Sequence, residues 1–118
     1  MTQLSVLLEE LVEISGIRTA LVVGRDGLVV DSATKKYRDD DDAVGAIIST
    51  GICSIESTGK ELNLGKSTQG LLEYSDGVVL INALAEDSLL VIVADKKVNL
   101  GNIRYQARKR MTSLQKAI

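Results

Sequence analysis

The chain has no histidine, proline, phenylalanine or tryptophan, one cysteine and three tyrosines among 118 residues. Each absence closes a route. Without histidine there is no ordinary general base, no usual zinc ligand and no pH switch near neutrality. Serine and threonine are plentiful, yet no Ser–His pair can form. One cysteine cannot close an internal disulfide. Cys53 falls in the middle of a helical stretch, where it reads as a small buried or interface residue. A reactive thiolate would want a basic partner there. The formal net charge is −2, so no global basic field draws the chain to nucleic acid. The longest apolar runs, residues 78–81 and 89–94, are strand-length, far short of the ~18–20 residues that cross a bilayer. The start, Met1-Thr2-Gln3-Leu4, lacks the basic segment and apolar core of a signal peptide. A cytoplasmic protein of one domain, with no cofactor, no metal and no catalytic residue of its own, is expected.

What is present is organised around residues 39–64. This stretch opens on Asp39, Asp40, Asp41 and Asp42, runs without a charge from Ala43 to Ile55, and closes on Gly59 and Gly65. Acids suit the exposed N–H groups at a helix start, so it reads as one long helix. At about 100° per residue, Val44, Ile48, Gly51, Ile52, Ile55 and Leu62 fall on one side, the expected core stripe. The opposite side carries Asp42, Ala46, Ser49, Thr50, Cys53, Ser57 and Lys60. A surface helix ordinarily places several Lys and Glu there. Small residues let a second backbone approach closely, and depletion of charge marks interface cores. The side bearing Ala46, Ser49, Thr50, Cys53 and Ser57 is therefore expected to be a contact surface.

The flanking segments supply a sheet. Residues 2–15 read as a helix with Leu4, Leu7, Leu8, Leu11 and Val12 inward and Glu9, Glu10 and Glu13 outward, capped by Thr2 or Ser5 and ended by Gly16. Residues 17–23 and 28–33 are strands joined by Gly24-Arg25-Asp26-Gly27, a tight-turn signal. A basic link (Lys35, Lys36, Arg38) leads into the long helix. After it come strands at 68–75, 78–84 and 88–94. The last two are almost continuously apolar, which suits central strands covered on both faces. The 68–75 strand is mixed and suits an edge, or an edge that pairs with another chain. The last helix starts at Val98 or Asn99. Leu100, Ile103, Ala107, Met111, Leu114 and Ile118 face inward, and Arg104, Arg108, Lys109, Arg110 and Lys116 face outward with no acid after Asp95. That outer face reads as solvated, or as a match for an acidic partner or anionic surface. The order α-β-β-α-β-β-β-α gives an α+β fold: a five-stranded antiparallel sheet with helices on both faces.

Three motifs invite a chemical reading and resist it. The stretch from Gly59 to Ser67 ends in Gly-Lys-Ser like a P-loop, but five residues separate Gly59 from Gly65 where four are needed. It also follows a helix and opens a strand, the inverse of a phosphate-binding loop. Gly65 reads as a helix-ending turn. The aspartate run cannot converge on one ion, because consecutive helical residues diverge by about 100°. Arg25 sits on a hairpin tip where an arginine finger for a GTPase is conceivable; the plainer reading is an exposed, charged turn residue.

Taken together, the element order, Leu7-Leu8-x-x-Leu11 before Gly16, Gly24-Arg25-Asp26-Gly27-Leu28-Val29-Val30-Asp31-Ser32, and Leu89-Leu90-Val91-Ile92-Val93 before the last helix resemble the Roadblock family. This is the dynein light-chain and bacterial MglB type, and the resemblance spans the chain. It implies a sheet ordered 2-1-5-4-3, with the long middle helix on one face and the first and last helices on the other. It implies homodimers or heterodimers in which third strands pair edge to edge, here through Gln69, Leu71 and Glu73, and middle helices lie side by side; for this chain a homodimer is expected, with a higher oligomer left open. It further implies binding and regulation of a Ras-like small GTPase, by activation through the GTPase's own residues or by scaffolding. The alternatives are a structural subunit of a motor or signalling assembly and, on a different footing, a small-ligand sensor.

Overall fold

Thr2 lies outside the first helix and its hydroxyl oxygen accepts the Ser5 N–H at 3.0 Å, so the cap falls on Thr2. From there the computed structural model, which describes residues 2–35 and 41–118, follows the expected order. The elements are α1 Gln3–Val12, β1 Ile17–Gly24, β2 Val29–Thr34, α2 Asp41–Glu61, β3 Gln69–Tyr74, β4 Gly77–Ala85, β5 Ser88–Asp95 and α3 Leu100–Ala117. All strand pairs are antiparallel, in the order β2-β1-β5-β4-β3. Asn99 caps α3 by accepting the Asn102 N–H. Asp39, Asp40, Lys36 and Arg38, assigned above to the helix start and its basic link, lie outside the described residues.

Alternation along the strands builds two cores. On one face Val22, Leu80, Leu84, Leu90 and Ile92 pack with Leu4, Leu8 and Leu11 of α1 and Ile103, Ala107 and Leu114 of α3. On the other face Leu21, Val23, Ile81, Leu89 and Val91 pack with Ile48 and Ile52 of α2. The second core is the smaller: one helix serves it, with its backbone nearest β1 and β2 and, of its apolar side chains, only Ile48 and Ile52 buried over β5 and β4. A helix is about 10–12 Å across, while strands sit about 4.8 Å apart.

The face that α2 turns to the sheet differs from the expected stripe. Gly45, Ile48, Ser49 and Ile52 are buried. Gly51 and Leu62 are exposed and Ile55 is 42% exposed. The helix is rotated so that its smallest residue meets the β1–β2 turn: a Cβ on Gly45 would stand 2.8 Å from the Gly27 carbonyl oxygen. Close approach at Gly45 outweighs burial of the two apolar side chains, Ile55 and Leu62, that a hydrophobicity count puts inward.

The end of α2 is also set differently. The Leu64 N–H bonds the Gly59 carbonyl at 2.8 Å and the Asn63 N–H bonds the Lys60 carbonyl at 3.2 Å. Asn63 has φ 57°. This is a Schellman cap with Asn63, not Gly65, in the left-handed position. Asparagine tolerates that conformation and β-branched residues do not. Asn63→Gly should leave urea stability unchanged or slightly raised, and Asn63→Val should lower it by about 1–2 kcal/mol. Equal tolerance of both would contradict the cap.

Candidate interaction surface

The β1–β2 turn is held by its own hydrogen bonds: Leu28 N–H to Asp26 Oδ1 at 3.0 Å and Gly24 N–H to the Leu28 carbonyl at 2.8 Å. This places Arg25 beside α2 and the β4–β5 turn. Arg25 Nη1 donates to Glu56 Oε1 at 2.5 Å, and Nε donates to the Glu86 carbonyl at 2.7 Å. The Arg25 N–H bonds the Asp87 carbonyl at 3.0 Å. Ser49 Oγ donates to the Arg25 carbonyl. Arg25 therefore ties three elements together and does not project as a finger. Ser49 belongs to the same knot, on the buried side of α2, and not to the outer face on which the sequence placed it.

The outer face of α2 keeps the rest of the expected set. Ala46, Thr50, Cys53 and Ser57 are exposed. Their hydroxyls are turned back on the helix: Thr50 Oγ1 to the Ala46 carbonyl, and Ser57 Oγ to the Cys53 carbonyl, each at 3.0 Å. Thr58 does the same to Ser54 at 3.1 Å. With their donors used internally, these residues present methyl and methylene groups outward. Ile47 lies among them, 70% exposed. Its adjacency to Ile48 was the available signal, since neighbours about 100° apart on a helix cannot both face the sheet.

β3 pairs with β4 and stands at the end of the sheet. The register puts Leu71 opposite Leu80, and Leu71 packs into the α1/α3 core. Gln69 donates to Asn82 Oδ1 at 2.9 Å, and Glu73 is exposed. So the expected edge residues lie at the edge, but Leu71 turns away from α2. The side of β3 nearer α2 carries Leu72, 39% exposed, and Tyr74, 61% exposed. Sequence reasoning did not single these two out. A cleft lined by Ile52, Ile55, Gly70, Ile81 and Ala83 runs between α2 and this edge. The exposed apolar side chains Ile47 and Ile55 of α2 and Leu72 and Tyr74 of β3 flank this cleft, whose lining also takes in Arg25, Ser67, Thr68 and Gln69.

Other hollows are edged with charge, unlike the apolar pockets that hold small ligands. One is lined by Glu56, Lys60 and Lys66, another by Arg25, Lys66 and Glu86, and a third by Glu13, Arg18, Lys35 and Asp95, among others. Among the described residues no three His, Cys, Asp or Glu side chains gather as a metal site, and no helix is long and apolar enough to cross a membrane.

A helix lies on one face of a 2-1-5-4-3 sheet, with the outer edge of β3 beside it. The Roadblock/LC7 domain model matches residues 4–94, and the chain belongs to that family. Two uncharacterized proteins of Methanocaldococcus jannaschii are 36% identical over 103 residues, covering 87% of this chain and 89% of theirs. Among solved structures, Myxococcus xanthus MglB superposes with a TM-score of 0.91 at 16% identity, over 98% of this chain and 94% of that one. A Roadblock/LC7 domain from Streptomyces avermitilis superposes with a TM-score of 0.72 at 28% identity, over the whole of both chains. The first of these speaks to the fold alone.

The Arg25 knot makes a measurable claim. In a double-mutant cycle of Arg25→Ala and Glu56→Ala, denaturation should give a coupling of about 1–2 kcal/mol. Arg25→Lys should recover only part of it, because an ammonium lacks the fork that reaches Glu56 and the Glu86 carbonyl together. Additive losses would mean the pair is decorative.

Proposed function

We propose that the protein is a dimeric, non-catalytic regulator of a Ras-like small GTPase, working in the cytoplasm. Two copies meet through the outer faces of their α2 helices and the edges of their β3 strands. The observation that carries this reading is the set of exposed apolar side chains on either side of the cleft, Ile47 and Ile55 on α2 and Leu72 and Tyr74 on β3. Contiguous exposed apolar surface beside an unpaired strand is what protein partners cover. Pairing two β3 edges satisfies backbone groups that a lone chain leaves to water, and the small flanks at Ala46, Thr50, Cys53 and Ser57 let the helices come close. Membership of the Roadblock/LC7 family, whose members are regulatory, supports a GTPase as the partner. In this reading, acceleration of hydrolysis comes from ordering the GTPase's own residues, in keeping with the tying of Arg25 to Glu56 and the Glu86 carbonyl. A purely structural subunit would use the same seam without sensing the nucleotide.

Because Ser49 is buried in the Arg25 knot, Ser49→Glu would disturb the fold itself and is a poor probe of the seam. Ile47→Arg and Cys53→Arg place a charge on the exposed face. Each should halve the mass measured by light scattering at high salt while leaving the circular dichroism spectrum intact. A folded variant of unchanged mass would remove the seam from α2. For the partner, the protein should co-purify with a small GTPase encoded beside it and alter its GTP turnover. A complex that ignores the nucleotide state would favour the structural subunit. No complex and no rate change in either nucleotide state would reject the regulator.

A further inference from the structure

α3 lies on the side of the sheet opposite α2, and its outward face is basic along its length. Residues 96–118 hold seven of the 14 Lys and Arg residues and none of the 16 Asp and Glu residues. The cations are not spread around the helix. At about 100° per residue, Tyr105, Arg108, Lys109, Thr112 and Lys116 share the arc opposite Ile103, Ala107 and Leu114, the residues that α3 buries. All five are exposed, Tyr105 by 60%. Arg104 is exposed on the flank of that arc, and Lys96 and Lys97 are exposed in the turn before the helix. Among the described residues, Arg104, Arg108, Lys109 and Lys116 have no carboxylate partner. Arg110 is different. It lies to the side of the crest, where Nε donates to Glu10 Oε1 at 3.3 Å and Nη1 to Gln106 Oε1 at 2.6 Å.

We infer that α3 is a peripheral membrane contact, its crest lying along the headgroups of an anionic bilayer. A helix face that only has to be solvated mixes charges of both signs; this one excludes acids. The helix dipole accounts for Lys116 alone, because its field fades within the last turn and Arg104, Arg108 and Lys109 stand farther back. Shape selects the occupant. None of the hollows described above takes in an α3 residue. Peptides and partner helices are gripped in grooves, whereas a convex crest suits a surface that is itself flat. The pI of about 5.1 is far below the ~9 of domains that bind nucleic acid. Tyr105 sits within the strip, with the apolar ring and polar tip that settle at headgroup level. Acids elsewhere do not cancel the attraction. Those of α2 lie across the sheet, two layers of about 10 Å away, beyond the ~8 Å over which charges act at physiological salt. Glu9, Glu10 and Glu13 are nearer, because α1 packs beside α3. Glu10 is engaged by Arg110; Glu9 and Glu13 remain, and they keep the attachment weak and reversible.

The inference needs no second copy, so it stands or falls apart from the α2 and β3 seam, which the light-scattering mass reads. The full chain should float with vesicles of phosphatidylglycerol and phosphatidylcholine, mixed one to two, at about 0.1 M salt and leave them at about 0.5 M. Vesicles of phosphatidylcholine alone should not carry it. Each cation at an anionic leaflet is worth about fivefold in binding, so Arg108→Gln with Lys109→Gln should weaken it about 25-fold and Lys116→Gln about fivefold. Lys60→Gln with Lys66→Gln removes the same charge from the end of α2 and the loop after it, and should bind as the wild type does. All five residues are exposed, and an unchanged circular dichroism spectrum checks that each variant folds. The inference is overturned if the wild type does not float with the anionic vesicles at the lower salt, or if the α3 variants float as well as it does. It is also overturned if the Lys60 and Lys66 variant loses as much as the Arg108 and Lys109 variant, because net charge alone would then explain the binding. A wild-type chain that ignores the vesicles but binds a labelled DNA duplex or an acidic peptide through Arg108 and Lys109 would likewise overturn it and give the strip a different occupant.

Discussion

Five strands spaced about 4.8 Å apart present a face about 20 Å wide, and one α-helix covers about half of it. The α1/α3 side meets this constraint with two helices, and its core is the larger of the two. The α2 side has one helix, set over β1 and β2. Everything unusual about the surface follows from that shortfall. Ile47 and Ile55 rise from the helix, and Leu72 and Tyr74 stand on the uncovered strands. The hydroxyls of Thr50, Ser57 and Thr58 are folded back on α2, so these three turn no hydroxyl donor outward. Leaving such a surface in water costs about 25 cal/mol for each Å2 that a partner would otherwise cover.

Much of the fold was legible because its signals are local. Asp26-Gly27 set the first hairpin, with Gly27 at φ 93°. The apolar runs of β4 and β5 announced strands covered on both faces, and β5 does lie at the centre of the sheet with β4 beside it. The mixed composition of Gln69–Tyr74 announced an edge. The rotation of α2 was not legible, because it depends on where the helix rests. Gly45 fits against the Gly27 carbonyl and Ser49 reaches the Arg25 carbonyl, and neither contact has a hydrophobic signature. The same gap hid the role of Arg25, whose partners Glu56 and Glu86 are remote in sequence. It also hid Leu72 and Tyr74, whose exposure is a consequence of what α2 fails to reach.

The two broad faces of the molecule thus offer different physics. One is apolar and carries an unpaired strand edge, so contact there buries surface and completes hydrogen bonds, and it is little affected by ions in solution. The other is charged in sorted strips over a well-filled core, so contact there is Coulombic and screened.

The central claim is that the bare edge of β3 and the outer face of α2 are covered by a second copy. Hydrogen–deuterium exchange followed against protein concentration tests it most directly. The β3 amides that point away from β4 should exchange slowly at high concentration and speed up on dilution, with the β1 and β5 amides slow throughout. Fast exchange along that edge at every concentration, in a chain whose central strands stay protected, would contradict the account.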